Sequence, residues 1–300
     1  MITASGVLAQ APTDMQFVPS GNICVGVTGN YSFWDHYWEG DTLRINGNVG
    51  TVSRLQAMGG FNLGLHDRIN LIVMLPYVRT QASQGTLNGQ HGFSDLSLNV
   101  KANYAQLALG RSSLLIGGNV GCALPVSDYL VDFMPLSIGG GTVNLSYRQM
   151  LKFKLATGFY ADAKANYTWR SNIKNVHRGG FYYDHGNAYY TDEVYVPNTL
   201  DYAGAIGYQS NRLLAEIGLT VFNTLGGSDI RTWDVPFVTV NSDFTTGYGR
   251  IDYYFAKPRG LNFSLVGGQT LSGRNAGKST YVALSLNYLF ALWAQPKPVQ

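Results

Sequence analysis

Charge is scarce in this chain. Only 13% of its 300 residues are charged while 45% are hydrophobic, and a soluble surface of this size would carry about 25–35% charged residues. Something other than water is therefore expected to cover part of the molecule. Long hydrophobic runs are missing as well. The longest, Ile69 to Leu75, is interrupted by Asn70 and falls far short of the roughly 20 apolar residues of a spanning helix, so transmembrane helices are excluded. No cluster of Lys or Arg accompanies the formal net charge of +3, which argues against a nucleic-acid partner. Cys24 and Cys122 are too few for a disulfide framework and read as two inert small apolar residues. No cofactor is implied.

What the chain does contain is glycine and aromatic residues: 36 Gly, 20 Tyr and 14 Phe, with a mean hydropathy of −0.04. Lipid tolerates one spanning architecture besides the helix, the closed barrel, because every backbone polar group must find a partner within the protein. Its signature is alternation over about 10 residues between turns. From Phe93 to Tyr104, Leu96, Leu98, Val100, Ala102 and Tyr104 share one face and Asp95, Ser97, Asn99, Lys101 and Asn103 the other, since successive strand side chains point to opposite faces. The pattern recurs from Phe153 to Arg170 and from Tyr281 to Phe290.

Counting such segments predicts an all-β chain, a transmembrane antiparallel β-barrel of about 12 strands, near 22–34, 48–63, 69–79, 92–105, 113–124, 139–149, 153–169, 199–209, 213–223, 243–255, 261–270 and 279–290. The connections alternate in length. Short turns fall near 66–68, 108–112, 150–152, 210–212 and 257–260, and longer loops at 35–47, 80–91, 127–138, 171–198, 224–242 and 271–278. Short periplasmic turns and long extracellular loops are the expected arrangement in the outer membrane of a Gram-negative bacterium, with both chain ends in the periplasm. A soluble β-sandwich or a repeat protein would not explain that alternation.

Aromatic residues should gather at the two interfaces. Tyr31, Phe33, Tyr77, Tyr167, Trp169 and Tyr202 are expected at the outer rim, and Phe61, Tyr104, Tyr147, Tyr208, Phe255, Tyr288 and Phe290 at the inner rim. Residues 21–290 would form the barrel and 291–300 a periplasmic tail. Residues 1–20 are read as a signal-peptide remnant, on the small-x-small site Ala9-Gln10-Ala11, followed by a periplasmic lead-in.

Leu75-Pro76-Tyr77, followed after a loop by the segment from Gly92 to Tyr104, resembles the Gly-x-x-Asp-Leu strand of barrels named for the meta-pathway of phenol degradation. Gly92, Asp95, Leu96 and Lys101 carry the match. The resemblance implies an outer-membrane transporter importing small apolar or aromatic molecules. The ten residues after Phe290 depart from the terminal aromatic on which many such barrels end.

Catalysis finds no support. His91 and Ser94 would lie on opposite faces of an extended chain, and no His-x-Ser arrangement occurs. His36 and His66 read as solvated loop and turn residues. The loop 171–198 holds His177, Asp184, His185, Asp192 and Glu193 among several aromatic residues, with no diagnostic metal spacing. Gly139 to Gly141 and Gly226-Gly227 lack the strand-to-helix context of a phosphate cradle.

The alternation instead predicts a charged lumen lined by Arg54, Asp95, Lys101, Arg148, Lys154, Asp162, Lys164, Arg170, Asp201, Glu216, Arg250 and Asp252. Phe181, Tyr182, Tyr183, Tyr189 and Tyr190 are expected to form a loop constriction at the mouth. A narrow channel for small solutes, apolar, aromatic or weakly anion-selective, is the leading expectation. A plugged accessory barrel within a larger complex and a membrane-embedded lipid hydrolase are the alternatives. The partners expected are outer-membrane lipid and lipopolysaccharide, a small-molecule solute and other envelope proteins.

Overall fold

The computed structural model describes residues 11–174, 180–184, 186–230 and 238–292, with the backbone alone for 180–184 and 187–189. Twelve long strands form the wall: β1 Asn22–Trp34, β2 Val52–His66, β3 Ile69–Ala82, β4 Asp95–Leu109, β5 Ser112–Pro125, β6 Asn144–Lys154, β7 Phe159–Arg170, β8 Thr199–Gln209, β9 Leu213–Thr224, β10 Asp243–Tyr254, β11 Leu261–Arg274 and β12 Thr280–Ala291. Each pairs antiparallel with the next, and β12 returns to pair with β1 from Asn22↔Ala291 to Phe33↔Thr280. Closure leaves no free sheet edge, so every ladder donor and acceptor of the wall can be satisfied without water.

Alternation separates the two faces. On β9, Ile217 is 62% exposed while its neighbour Glu216 is buried; on β12, Val282, Leu284 and Leu286 all lie outside. Outside a barrel of this kind lies lipid, and an apolar band faces it. Ile217→Arg should accordingly destabilise the barrel by about 2–4 kcal/mol, whereas Thr220→Arg, pointing into the lumen, should cost clearly less. Urea titrations in lipid vesicles would measure both, and equal costs would mean that the faces are misassigned.

Several boundaries move by a few residues from those the sequence suggests, with the end of β6 and the start of β7 among the largest shifts. The turn expected at 150–152 lies at Leu155–Gly158, where Leu155 N donates to Phe159 O at 2.8 Å and Gly158 N to Leu155 O at 3.1 Å. Gly158 takes φ +96° there, a conformation that L side chains avoid. The error did not disturb the facing, because Leu155 and Phe159 are an even number of residues apart. It did misplace Tyr147, which pairs with Tyr167 of the outer rim and not with the inner girdle.

Candidate channel lumen

Three layers fill the space inside the wall. The lowest is the chain's own leading segment. Residues 11–20, which the sequence suggested as a lead-in below the barrel, run inside it: Val18 is fully buried, and Asn70 donates from Nδ2 to Val18 O at 3.2 Å. Gly64 makes the entry possible, since a Cβ there would collide with the carbonyls of Val18 and Pro19. Lys101 holds the inner end. Its ammonium, with no exposure at all, donates to Ala11 O at 2.9 Å, Asp14 Oδ1 at 2.9 Å and Gln16 O at 2.6 Å, so each of its three hydrogens has an acceptor. Asp14 in turn accepts from the amides of Ala11 and Gln16 at 2.9 and 3.1 Å.

Above this plug lies a central cavity of about 490 Å3. Its ionic side is carried by β6–β10. Arg250 binds Asp252 through two bonds of 2.9 and 2.7 Å and reaches Asp14 at 3.8 Å. Glu216 accepts from the phenols of Tyr160 at 2.6 Å and Tyr248 at 2.8 Å. Arg148 and Asp201 are 3.5 Å apart, and Lys164 and Asp162 3.1 Å. Facing these from β1–β3 are Cys24, Met58, Ile72 and Met74.

The third layer is built from outer loops. The segment after β5 turns into the mouth, burying Leu136 and Ile138. Arg54 Nη2 donates to Ile138 O at 3.1 Å, Ser94 Oγ to the same oxygen at 2.7 Å, and Thr80 Oγ1 to Leu136 O at 2.5 Å. Tyr129 donates to Asp95 Oδ1 at 2.5 Å and accepts from Gly141 N at 2.9 Å; burial, then the Asp95 carboxylate, push its phenol well above the usual range. Ile173, Val196 and Val238 pack together with Val131, Met134 and Val194, joining three loops through one small apolar cluster.

Asn275, at φ +49°, ties down a second group of loops. Its Oδ1 accepts from Gly40 N at 2.8 Å and Ile230 N at 3.2 Å, while its Nδ2 donates to Asp229 Oδ1 and Asn241 O, both at 2.7 Å. Asp229, also bound by Arg274 at 2.6 Å, is held below the usual carboxylate range, chiefly by that guanidinium and then by Asn275. An outer vestibule of about 760 Å3 remains, with Arg170 on its wall donating from Nε to Pro197 O at 2.6 Å.

No family model matches the chain, and no curated relative matches it. In fold it is similar to a crystallographically solved outer-membrane channel from Pseudomonas putida F1, with a TM-score of 0.73 and 16% identity over 94% of this chain and 100% of that one. The architecture is that of a Gram-negative outer-membrane β-barrel. A more distant likeness, to the NanC porin, has a TM-score of 0.47 and 9% identity over 88% of this chain and 98% of that one.

Within this outer-membrane barrel, the charged positions suggested by the alternation fall into separate levels. Arg54, Asp95 and Arg170 lie in the loop layer, Arg148, Asp162, Lys164, Asp201, Glu216, Arg250 and Asp252 in the middle, and Lys101 against the plug. Lys154 borders a lower hollow of about 430 Å3 beside Met15 and Gln16. Of the aromatic residues suggested for the constriction, the side chains of Phe181, Tyr182, Tyr183 and Tyr189 lie outside the described residues, and Tyr190 is 69% exposed. Their backbone forms a hairpin, Gly180–Asp184 with Asn187–Thr191.

Sequence reasoning missed Lys152, whose ammonium sits 3.7 Å over the Tyr160 ring, although it shares the parity of Lys154. It also missed Asp14 and the inward loop 126–143, for which no periodic signal exists. Cys24 and Cys122 are both free thiols.

Proposed function

We propose that this protein is a narrow outer-membrane channel for small solutes, favouring anions and neutral molecules, with residues 11–20 as its internal restriction. The observation that carries the reading is the lumen itself. A barrel serving only as a structural body has no use for ionised groups held around open space, and burying ions is costly unless they are paired. Here a hollow of about 430 Å3, a cavity of about 490 Å3 and a vestibule of about 760 Å3 follow one another along the interior, bordered by Lys154, by Arg148 and Lys164, and by Arg54 and Arg170 respectively. Twelve strands also give a width between the filled eight-stranded barrels and the wide 16-stranded porins.

The test is current through planar bilayers. Purified, heat-modifiable protein should give small, steady unitary conductances. Silence from correctly folded protein would overturn the channel in favour of an accessory barrel.

A further inference from the structure

The central cavity is two-sided. Strand order puts β1–β3 across the lumen from β7–β9, with β6 beside that wall, and the two sides differ in chemistry. Met58, Ile72 and Met74 present an apolar wall, and Arg148 and Lys164 face the same space from the other side. The register sets Lys164 opposite Met150 and Arg148 opposite Asn166, so the two cations are diagonal neighbours on adjacent strands, roughly 7–8 Å apart at the backbone. One carboxylate can bridge that gap between two long side chains.

Both cations also hold donors in reserve. The acids around them draw on other groups: Asp201 accepts from Asn166 Nδ2 at 2.7 Å, Glu216 from two tyrosines, and Asp252 from Arg250, Ser264 and Tyr254. Arg148, with five N–H groups, has one long side-chain contact among the described residues, 3.5 Å to Asp201. Lys164 lies 3.1 Å from Asp162 Oδ1, yet that oxygen lacks a hydrogen-bond partner of good geometry among the described residues.

We propose that the central cavity is a binding site for a small amphipathic monocarboxylate, with its carboxylate between Arg148 and Lys164 and its apolar body against Met58, Ile72 and Met74. The proposal rests on the channel reading and names the solute class for it. Charge-assisted bonds select the head group, and the two methionines adapt to differing tails. The cavity volume of about 490 Å3 lies within the range of about 300–1,000 Å3 common for small-molecule sites. A neutral tail leaves the spare donors of both cations unmet, and a short acid leaves the apolar wall wet, so neither half suffices alone.

Calorimetric titration of the full chain in lipid nanodiscs, with empty discs as the reference, tests this with octanoate, 1-octanol and acetate as probes. Octanoate should bind at least tenfold more tightly than either of the others. The double variant Arg148→Gln with Lys164→Gln should lose at least tenfold for octanoate and hold 1-octanol within twofold. Equal affinity for octanoate and 1-octanol, equal affinity for octanoate and acetate, or no octanoate binding would each overturn the site. The wild-type series decides this even if the double variant fails to fold. Ionic current without octanoate binding would remove the site and keep the channel, whereas octanoate binding without current would do the reverse.

Discussion

Lys101→Met is expected to raise unitary conductance several-fold, because that ammonium ties residues 11–20 into the lumen. Its three donors meet Ala11 O, Asp14 Oδ1 and Gln16 O, and its charge also lies 5.0 Å from the Phe17 ring. With the lysine gone, the buried Asp14 carboxylate keeps, among the described residues, only Arg250 as an ion-pair partner, at 3.8 Å. Removing one member of a buried pair costs about 3–5 kcal/mol, and the segment can escape most of that cost by leaving the lumen for water. The barrel wall does not depend on the segment, since β1 begins only at Asn22. Current should rise, and a protease added from the periplasmic side should cut near residues 11–20 faster than in wild type. The double variant Asp14→Asn with Lys101→Met, which leaves no orphaned charge, should return part of the way. Wild-type current and wild-type cleavage in Lys101→Met would show that the plug is held by packing alone.

The second large effect is on selectivity. Arg250 is committed to Asp252 and Lys101 to the plug, which takes Lys101 out of the set of residues an ion can meet. Arg148 and Lys164 border the central cavity and Arg170 the vestibule, against Asp201 and Glu216 in the same spaces. A basic excess in a narrow passage of low dielectric enriches anions, and added salt weakens the effect. Under a salt gradient, the wild-type reversal potential should therefore have the anionic sign and shrink as ionic strength rises. Arg148→Glu with Lys164→Glu should reverse it. A cation-selective wild type, or a double variant with the original sign, would end this electrostatic account.

How much of this was legible in the sequence depended on periodicity. Alternation between lipid and lumen is a two-residue signal, and it survives local errors of boundary. The strand β8 has its expected bounds, and the misplaced turn before β7 did not exchange a single face, because Leu155 and Phe159 have the same parity. That parity is the ground on which the chain alone suggests an interior place for the charged positions from Arg54 to Asp252. What could not be read was anything held by non-periodic contacts. Asp14 meets Lys101 at a sequence separation of 87, and nothing local to either residue announces the other. The turn of 126–143 into the mouth depends on the carbonyls of Leu136 and Ile138 reaching Thr80, Ser94 and Arg54, a set of acceptors that every residue possesses. Tyr190, by contrast, offers only its ring as a signal, and a ring in an outer loop reports composition without saying which way it points.

The pairing of β1 with β12 carries a consequence for how such a molecule is made. Asn22 meets Ala291, so the seam joins nearly the two ends of the described chain, while every other wall contact links strands adjacent in sequence. Each hairpin closes a loop far shorter than the seam does, so the hairpins can form earlier and at smaller entropic cost. The seam closes the longest loop the chain has, and that loop can close only when the last strand is present. Until then β1 and β12 expose two unpaired edges, each a template for the wrong partner, so the rate-limiting hazard of biogenesis is concentrated in one ladder. The topology makes closure of this barrel a problem of bringing distant chain ends together in the one wall ladder of long sequence separation.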